Sequence, residues 1–566
     1  MNDFSEFGMT RVDSNARPLP ARASSTAAGS VRVAEHRLEF APHALGLFRQ
    51  LTSAGRRRHV VLLESAEPGR RQTQRSLLVT SAALAIVCRG AEVAIDALNA
   101  NGRMLLPFLG QRLDRFEQRT ECGRLHLRIG PAARHGSDRE RLLRDSVLSV
   151  LRVLASELQA VDCAPADAVF LAGVFGYDLA GQYEDLPDAV GGNDFPDYAF
   201  VLADTLIDID HLGRHTRILA SVFGDADCAD RLRAARVRVA RIAAMAGAAP
   251  VATAEPCFTP VAIDAAVDRT DEEFAADVVA MQRLIVAGDV FQIVPSRTFS
   301  LPCRDPLAAY AALAELNPSP YLFHFNGAGF TLFGASPESA IKVDGASRRV
   351  EISPIAGTRP RGRAADGRID ADLDSRYEAE LRLDEKENAE HMMLVDLARN
   401  DIARIAEPGT RAVTELLRVV RYSHVMHLAS RVGGTLRAGL DALHAVQACL
   451  AMGTLTGAPK VRAMQLLRCH EPGRRGHYGG AIGYLRGDGS LDSAIVIRAA
   501  LVRHGIADVR AGAGVVHDSV PALEADETRR KAEAVLRAIA FANAQAGKAT
   551  TREAASGAPA EVADVA

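Results

Sequence analysis

Short apolar segments bounded by turn residues recur along most of the chain, and helical segments interrupt them at uneven intervals. Candidate strands in the first half include residues 59–63, 76–80, 84–88 and 169–175. No βαβ rhythm of roughly 30 residues repeats, and neither a G-x-G-x-x-G nor a Walker phosphate loop is present. The pattern therefore predicts an α+β fold, in a two-layer arrangement of antiparallel β-sheets covered by helices.

Three local signals are more specific. Residues 205–209 and 216–223 alternate apolar and polar side chains around a turn at 211–213, which predicts a hairpin. An Arg- and Ala-rich helix is predicted at 230–245. A further helix should begin at a capping box formed by Thr270 and Glu273, because its apolar stripe recurs at helical spacing. That stripe consists of Phe274, Val278, Met281 and Ile285.

A chain of 566 residues is too long for one ordinary core. Residues 1–30 mix Pro, Ala, Ser and acidic residues and are expected to form a disordered tail, as are residues 542–566. A segment rich in Ala, Pro and Thr predicts a linker at 251–268. These boundaries leave an N-terminal region at 31–250 and a second domain at 269–541.

Composition excludes several classes of function. The net charge of -3 comes from 67 basic and 70 acidic residues, so a nucleic-acid partner is not expected. The longest apolar stretch, residues 77–88, is shorter than the roughly 20 residues of a membrane span. The eight cysteines lie at least 20 residues apart, which leaves no zinc knuckle or C-x-x-C pair. A cytoplasmic protein without membrane association is expected.

Two pairs of glutamates lie three residues apart on predicted helices. Glu387 and Glu390 share a helix face with His391, and Glu524 and Glu527 begin a second helix. Carboxylate oxygens from two helices suit a hard cation such as magnesium, which keeps other positions for water and substrate. Such pairs also occur on solvated helix faces, so their spacing alone does not decide between these two interpretations.

The motifs around these pairs resemble the chorismate-utilising enzymes, and within them the large subunits of anthranilate synthase. They follow the order of that family through nearly all of residues 270–540. The matching motifs are 289–296 (DVFQIVPS), 317–321 (NPSPY), 334–339 (GASPES), 354–362 (PIAGTRPRG), 396–401 (DLARND), 424–427 (HVMH), 452–455 (MGTL), 457–460 (GAPK) and 511–516 (AGAGVV).

The resemblance implies a chorismate-binding catalytic domain at 269–541 and a role for individual residues. Glu390 and Glu527 would bind Mg²⁺, with Glu387 and Glu524 in support. Glu338 would be the acid for the departing C4 hydroxyl, although outside this motif it would read as a solvated loop residue. The other implied catalytic residues are His427 and Thr454, and the implied substrate-binding residues are Gly357, Thr358, Tyr478, Arg498, Gly512, Ala513 and Gly514.

Two positions indicate which reaction of the family is catalysed. Relatives that add water carry a lysine base where this chain has Gln292, and an amide cannot take up a proton at neutral pH. Relatives with a lysine nucleophile carry it where this chain has Ala356. Ammonia is therefore expected to attack the ring directly and give aminodeoxyisochorismate, which then loses pyruvate to yield anthranilate. The alternatives are a sister enzyme that stops at the aminated intermediate, and a tryptophan-binding protein without activity.

No cysteine lies in a Gly-x-Cys-x-Gly elbow, so the chain is expected to depend on a separate glutamine amidotransferase subunit for ammonia. A hetero-oligomer with two or more copies of each subunit is expected. The resemblance also implies feedback inhibition by tryptophan, bound in the N-terminal region at residues 62–65 (LLES) and at the 317–322 segment. The implied contacts are Glu64, Ser65, Asn317, Pro320, Tyr321 and Leu322, the last in place of the family's methionine.

Overall fold

The structure is a computed structural model of the chain. It describes residues 29–66, 73–130, 137–161, 165–189, 191, 194–224, 228–248, 261–364, 366–422 and 425–556. Most of the predicted N-terminal tail, residues 251–260 of the predicted linker, residue 424 of the HVMH motif and residues 557–566 lie outside this part of the chain.

The strands follow one another as β1 Ser30–Leu38, β2 Val60–Ala66, β3 Thr73–Arg89, β4 Glu92–Ala97, β5 Glu117–Glu121, β6 Arg124–Arg128, β7 Gln159–Ala160, β8 Phe170–Phe175, β9 Tyr198–Asp210, β10 His215–Phe223, β11 Ala266–Val267, β12 Gln292–Ile293, β13 Ser296–Pro302, β14 Tyr321–Asn326, β15 Thr331–Ser336, β16 Ser339–Val343, β17 Arg349–Ile352, β18 Ile355–Pro360, β19 Ala412–Arg421, β20 Val425–Thr435, β21 Gly457–Ala458, β22 Ala481–Arg486, β23 Leu491–Ile495, β24 Ala499–Arg503 and β25 Ile506–Gly512.

The helices are α1 Ala44–Leu51, α2 Ala100–Arg103, α3 Leu106–Arg112, α4 Asp138–Leu143, α5 Ser149–Glu157, α6 Cys228–Gly247, α7 Asp271–Val286, α8 Pro306–Leu316, α9 Ala371–Leu383, α10 Glu385–Ile405, α11 Ala442–Cys449, α12 Gly453–Thr456, α13 Lys460–His470 and α14 Pro521–Ser556. Within the described residues, 3-10 helices lie at Ala166–Ala168 and Tyr177–Gln182. No helix in the described part of the chain is long and apolar enough to cross a membrane.

Two layers of mainly antiparallel strands form the centre of the molecule, and the long strands β3 and β9 belong to both. The first layer has the order β1–β10–β9–β3–β2–β14–β15–β24–β25–β13–β11. The second has the order β4–β3–β9–β8–β22–β23–β16–β17–β20, after which β18 and β19 both pair with β20. Both layers combine strands from the two sides of the predicted linker, because β2 pairs with β14 and β8 with β22.

Apolar side chains fill the space between the layers and cover their outer faces. Phe170, Val174, Phe323 and Leu501 belong to the cluster between the layers. The outer face of the first layer packs against α1, α6, α8 and α14. The outer face of the second packs against α3, α5, α10 and α11. Alternate side chains of a strand point to opposite faces, so each sheet can pack against the other sheet on one face and against helices on the other. This arrangement confirms the predicted α+β fold with helices over antiparallel sheets.

Local predictions agree with the structure at several points. The predicted hairpin is formed by β9 and β10, and the predicted helix at 230–245 lies within α6. At α7, Thr270 and Glu273 exchange the two hydrogen bonds of a capping box. The two strands predicted at 76–80 and 84–88 are instead one strand, β3, whose register shifts between Val79 and Leu84 where it passes from one layer to the other. Residues 542–556 continue α14, whereas a disordered tail was expected from residue 542.

Candidate active site

The two predicted glutamate pairs lie on α10 and α14 and face each other. Asp384 caps α10 by accepting a hydrogen bond from the backbone of Glu387, which places that pair in the first two turns. Burial, together with the charges of Glu387, Glu524 and Glu527, raises the pKa of Glu390 to about 7, although Lys386 opposes the rise. Glu390 is therefore close enough to the other three carboxylates to be repelled by them electrostatically.

Oxygen-only donors that repel one another fit a hard divalent cation, because a cation between the helices removes the repulsion. Lys386 Nζ lies 3.8 Å from Glu390 Oε1, and Lys531 Nζ lies 2.6 Å from Glu527 Oε1. Among the described residues, no three or more His, Cys, Asp or Glu side chains form a ready cluster of metal ligands. Carboxylates on two neighbouring helices suit an ion that takes few protein ligands and completes its shell with water and substrate, as magnesium usually does.

Glu338 lies in the sharp connection between β15 and β16. Its backbone carbonyl accepts a hydrogen bond from Ile495 of β23, and the hydroxyl of Ser336 accepts one from its backbone N–H. The side chain is buried, and burial raises its pKa to about 8 against the opposing effects of the Thr454 hydroxyl and the Ile355 backbone. A carboxyl with that pKa retains its proton at neutral pH, so Glu338 can act as a proton donor.

His427 of β20 lies opposite Thr358 of β18 in the sheet register. Its Nδ1 is 2.9 Å from the carbonyl oxygen of Gly357 and 3.0 Å from the hydroxyl of Thr358. Burial lowers the pKa of His427 to about 4, and the charge of Arg498 acts in the same direction. The imidazole is therefore neutral at physiological pH. A neutral imidazole carries one N–H group. When Nδ1–H donates a hydrogen bond to the carbonyl of Gly357, Nε2 has no proton and can accept one.

Tyr478 and Gln292 pack against the glycines of the 512–514 loop. A Cβ atom on Gly512 would lie 2.8 Å from the Tyr478 hydroxyl, and one on Gly514 would lie 2.7 Å from Gln292 Nε2. A Cβ atom on Gly512 would also lie 2.6 Å from the backbone carbonyl oxygen of Pro295, which favours glycine at this position. Pairing of β12 with β21 positions Gln292. Gln292 is buried, and its amide oxygen has no hydrogen-bond partner within the described protein.

Lys531 is a basic residue of this site that the sequence interpretation did not select. Its Nζ donates a hydrogen bond to the carbonyl of Gly512 at 3.0 Å, besides the ion pair with Glu527. The charges of Lys531 and Arg498 both lower the pKa values of Glu338 and His427. Arg498 has a left-handed backbone with φ 48°, which is unusual for a residue other than glycine. The two cations make this side of the site suited to carboxylate groups.

The predicted tryptophan contacts lie in both halves of the chain, and β2 and β14 bring most of them together. Glu64 is opposite Leu322 in the sheet register. Glu64, Ser65, Tyr321 and Leu322 line one cavity of about 320 Å³, whose other walls come mainly from β3, β16, β22 and β23. Burial raises the pKa of Glu64, which accepts hydrogen bonds from Ser76 and Tyr310.

Asn317 and Pro320 are not among the residues that line this cavity. Asn317 ends α8 and donates a hydrogen bond to the side chain of Ser319. The carbonyl of Ser319 in turn accepts a hydrogen bond from Ala66, at the end of β2. These two residues therefore lie beside the cavity wall, and their direct contact with a ligand stays a prediction.

The fold and this constellation of acid, neutral histidine, facing carboxylates and cations define a class of enzyme. Residues 115–537 match the chorismate binding enzyme family, so the chain belongs to that family. Within it, the chain is 51% identical over 500 residues to anthranilate synthase component 1 of Escherichia coli (strain K12), covering 88% of this chain and 94% of that protein. It is 49% identical over 514 residues to anthranilate synthase component 1 of Vibrio cholerae, covering 91% and 97%.

A solved structure supports the same grouping. The crystal structure of anthranilate synthase component I from Streptococcus pneumoniae superposes with a TM-score of 0.61 at 28% sequence identity, covering 82% of this chain and 92% of that one. The chain thus belongs with the anthranilate synthase component 1 proteins, as its motifs indicate.

Proposed function

We propose that this protein converts chorismate and ammonia into anthranilate and pyruvate through 2-amino-2-deoxyisochorismate, the first committed step of tryptophan biosynthesis. The observation that carries the proposal is Gln292. It is buried beside Gly514 with its amide oxygen unpartnered. A buried acceptor without a partner is costly, and an incoming ammonia molecule can donate the missing hydrogen bond. Water at the same place has no base to activate it, because the amide is not basic.

Addition of ammonia at C2 of the ring is coupled to loss of the C4 hydroxyl. As the new C–N bond forms, the ring electrons shift and the C4–O bond breaks. Glu338 supplies the proton with which the hydroxyl leaves as water, since its pKa of about 8 keeps the carboxyl protonated at neutral pH. Gln292 orients the nucleophile. After attack the nitrogen passes its extra proton, directly or through water, to the carboxylate that Glu338 has become, which restores the acid. The product of this half-reaction keeps the enolpyruvyl group.

The two carboxylates of chorismate need separate binding groups. Arg498 and Lys531 are cations suited to them, and Lys531 lies at the 512–514 loop through its hydrogen bond to Gly512. Glu390 and Glu527, supported by Glu387 and Glu524, would hold Mg²⁺. When bound, this ion neutralises negative charge at the ring carboxylate.

Loss of pyruvate is the second half-reaction. The C2–H bond breaks, its electron pair completes the aromatic ring, and the C3–O bond to the enolpyruvyl group breaks. The departing enolpyruvate becomes pyruvate when its methylene carbon takes up a proton. His427 is neutral and offers Nε2 as an acceptor, so it can receive the ring proton or orient the side chain that leaves. The hydroxyl of Thr358, 3.0 Å from Nδ1, also helps to hold the imidazole ring in place.

Ammonia is proposed to come from glutamine on a separate glutamine amidotransferase subunit, in a hetero-oligomer with two or more copies of each chain. The name component 1 of the relatives supports the existence of a second component. Tryptophan is proposed to inhibit by binding in the cavity lined by Glu64, Ser65, Tyr321 and Leu322. Tyr321 pairs with Ser336, two residues before Glu338, so an occupant of the cavity can act on the catalytic acid through one strand pair.

The test is turnover of chorismate with Mg²⁺, read by anthranilate fluorescence. The purified chain should form anthranilate from ammonium salt above pH 8, where more free ammonia is present, and should not use glutamine alone. Addition of the amidotransferase subunit should restore glutamine-dependent turnover. Absence of anthranilate with ammonium salt would contradict the proposal.

A further inference from the structure

A buried ion pair lies directly behind the candidate active site, at the end of α13. Arg475 and Glu471 are 3% and 7% exposed. Arg475 donates from Nε and Nη2 to the two carboxylate oxygens of Glu471, at 2.8 and 2.7 Å. A buried ion pair is weak evidence for a role in stability, because desolvation offsets most of its attraction. Its other contacts indicate what it does.

The guanidinium group of Arg475 also holds two segments that carry candidate site residues. Nη1 donates to the carbonyl of Leu455 and Nη2 to the carbonyl of Val294, each at 2.6 Å. Leu455 follows Thr454, and Val294 lies two residues after Gln292. A planar fork that donates in three directions fixes these segments relative to each other, which the single ammonium group of lysine cannot do in the same geometry.

The pair also positions Tyr478. The guanidinium carbon of Arg475 lies 5.7 Å from the centre of the Tyr478 ring. Glu471 in turn accepts hydrogen bonds from the backbone N–H and the hydroxyl of Ser296. It also forms an ion pair with Arg510, whose guanidinium carbon is 6.0 Å from the centre of the Tyr478 ring. Tyr478 is thereby flanked by two arginines whose own positions depend on Glu471.

We propose that Arg475 and Glu471 are positioning residues that set the relative placement of Gln292, Thr454 and Tyr478 for the reaction. This inference deepens the proposed function and rests on it, because these three residues matter together only if they surround one substrate. Arg475 and Glu471 touch the substrate in neither half-reaction. They act by holding in place the backbone segments of Gln292 and Thr454 and the ring of Tyr478, which surround the substrate.

The test compares Arg475→Lys and Ser296→Ala in the full-length chain with Arg152→Lys as a matched control. Arg152 likewise forms an ion pair, with Asp441, but it holds none of the candidate site segments. Ser296→Ala removes one support of Glu471 and leaves the ion pair in place. We expect kcat/KM for chorismate to fall about 100-fold in Arg475→Lys, the effect of a displacement near 1 Å at a reacting centre. A smaller fall is expected in Ser296→Ala, and none in Arg152→Lys.

A second measurement does not depend on activity. The chain contains nine tyrosines and no tryptophan, so tyrosine dominates its near-ultraviolet circular dichroism. The difference between wild type and Tyr478→Phe defines the signal of Tyr478. Arg475→Lys should alter that signal, whereas Arg152→Lys should leave it unchanged. Thermal unfolding of each variant shows whether the fold is retained.

The proposal is overturned if Arg475→Lys and Ser296→Ala keep wild-type kcat/KM, or if activity falls only in proportion to the loss of folded protein. An unchanged Tyr478 signal in Arg475→Lys also overturns it. If the wild-type chain formed no anthranilate, the proposed function would fail, while the circular dichroism comparison would still decide whether Arg475 positions Tyr478.

Discussion

Replacement of Glu338 by glutamine removes the proton that the proposed reaction delivers to the departing hydroxyl, and leaves a side chain of nearly the same size. Burial raises the pKa of Glu338 to about 8. Below that pH the carboxyl is neutral and holds its proton, and above it the carboxyl is ionised. About nine tenths of the enzyme is therefore competent at pH 7 and about one tenth at pH 9. A positioned general acid typically contributes between about 100-fold and 10,000-fold to the rate.

The assay is kcat for anthranilate formation between pH 6.5 and 9.5, at constant free ammonia, saturating chorismate and saturating Mg²⁺. Holding free ammonia constant is necessary because ammonium loses its proton over the same range. Wild type should lose activity about tenfold per pH unit above pH 8. Glu338→Gln should be slower by at least about 100-fold and should lack this decline. Glu315→Gln, at an exposed position on α8, is the matched control and should behave as wild type.

Two results would refute this reasoning. A wild-type kcat that stays level from pH 7 to 9.5 would show that ionisation of Glu338 does not limit the reaction. Activity of Glu338→Gln within a few-fold of wild type would show that the proton comes from another group.

Four further changes test the remaining parts of the active site and the proposed tryptophan cavity. Gln292→Leu should lower ammonia-dependent kcat about tenfold, the effect of one lost hydrogen bond, and an unchanged rate would remove Gln292 from the mechanism. Chelation of Mg²⁺ should abolish turnover. Glu390→Gln should raise the Mg²⁺ concentration for half-maximal activity by at least about tenfold. The same Mg²⁺ dependence in Glu390→Gln as in wild type would exclude Glu390 as a ligand. Ser65→Ala should raise the tryptophan concentration for half-inhibition about tenfold, and unaltered sensitivity would contradict the assignment of the cavity.

Features with local causes could be predicted from the sequence. The capping box at Thr270 and Glu273 and the hairpin of β9 and β10 depend on residues only a few positions apart. The single strand β3 could not be predicted, because its continuity through the bend near Val79 depends on pairing with β9. The pairing of β2 with β14 joins residues more than 200 positions apart, and nothing local specifies that register.

In the candidate site, too, residues within recognisable motifs could be selected from the sequence, whereas residues placed by distant contacts could not. Motifs selected Glu338, His427 and the glutamate pairs, whose roles stay predictions. The charge of Lys531, which pairs with Glu527, acts on the pKa values of Glu338 and His427, so these residues lie in one region. Lys531 was missed because a lysine four residues after Glu527 has the spacing of an ordinary helical ion pair. Its hydrogen bond to Gly512 depends on how α14 packs against β25. Arg475 was missed for a similar reason, since nothing in the neighbouring Arg474-Arg475 sequence indicates which arginine is buried.

The identity of the product tests the central claim most directly. Chorismate is incubated with the purified chain, Mg²⁺ and ¹⁵N-labelled ammonium, and the products are separated and weighed by mass spectrometry. The proposed function predicts ¹⁵N-anthranilate and pyruvate in equal amounts. Accumulation of isochorismate, or of an aminated product that retains its enolpyruvyl group, would contradict it.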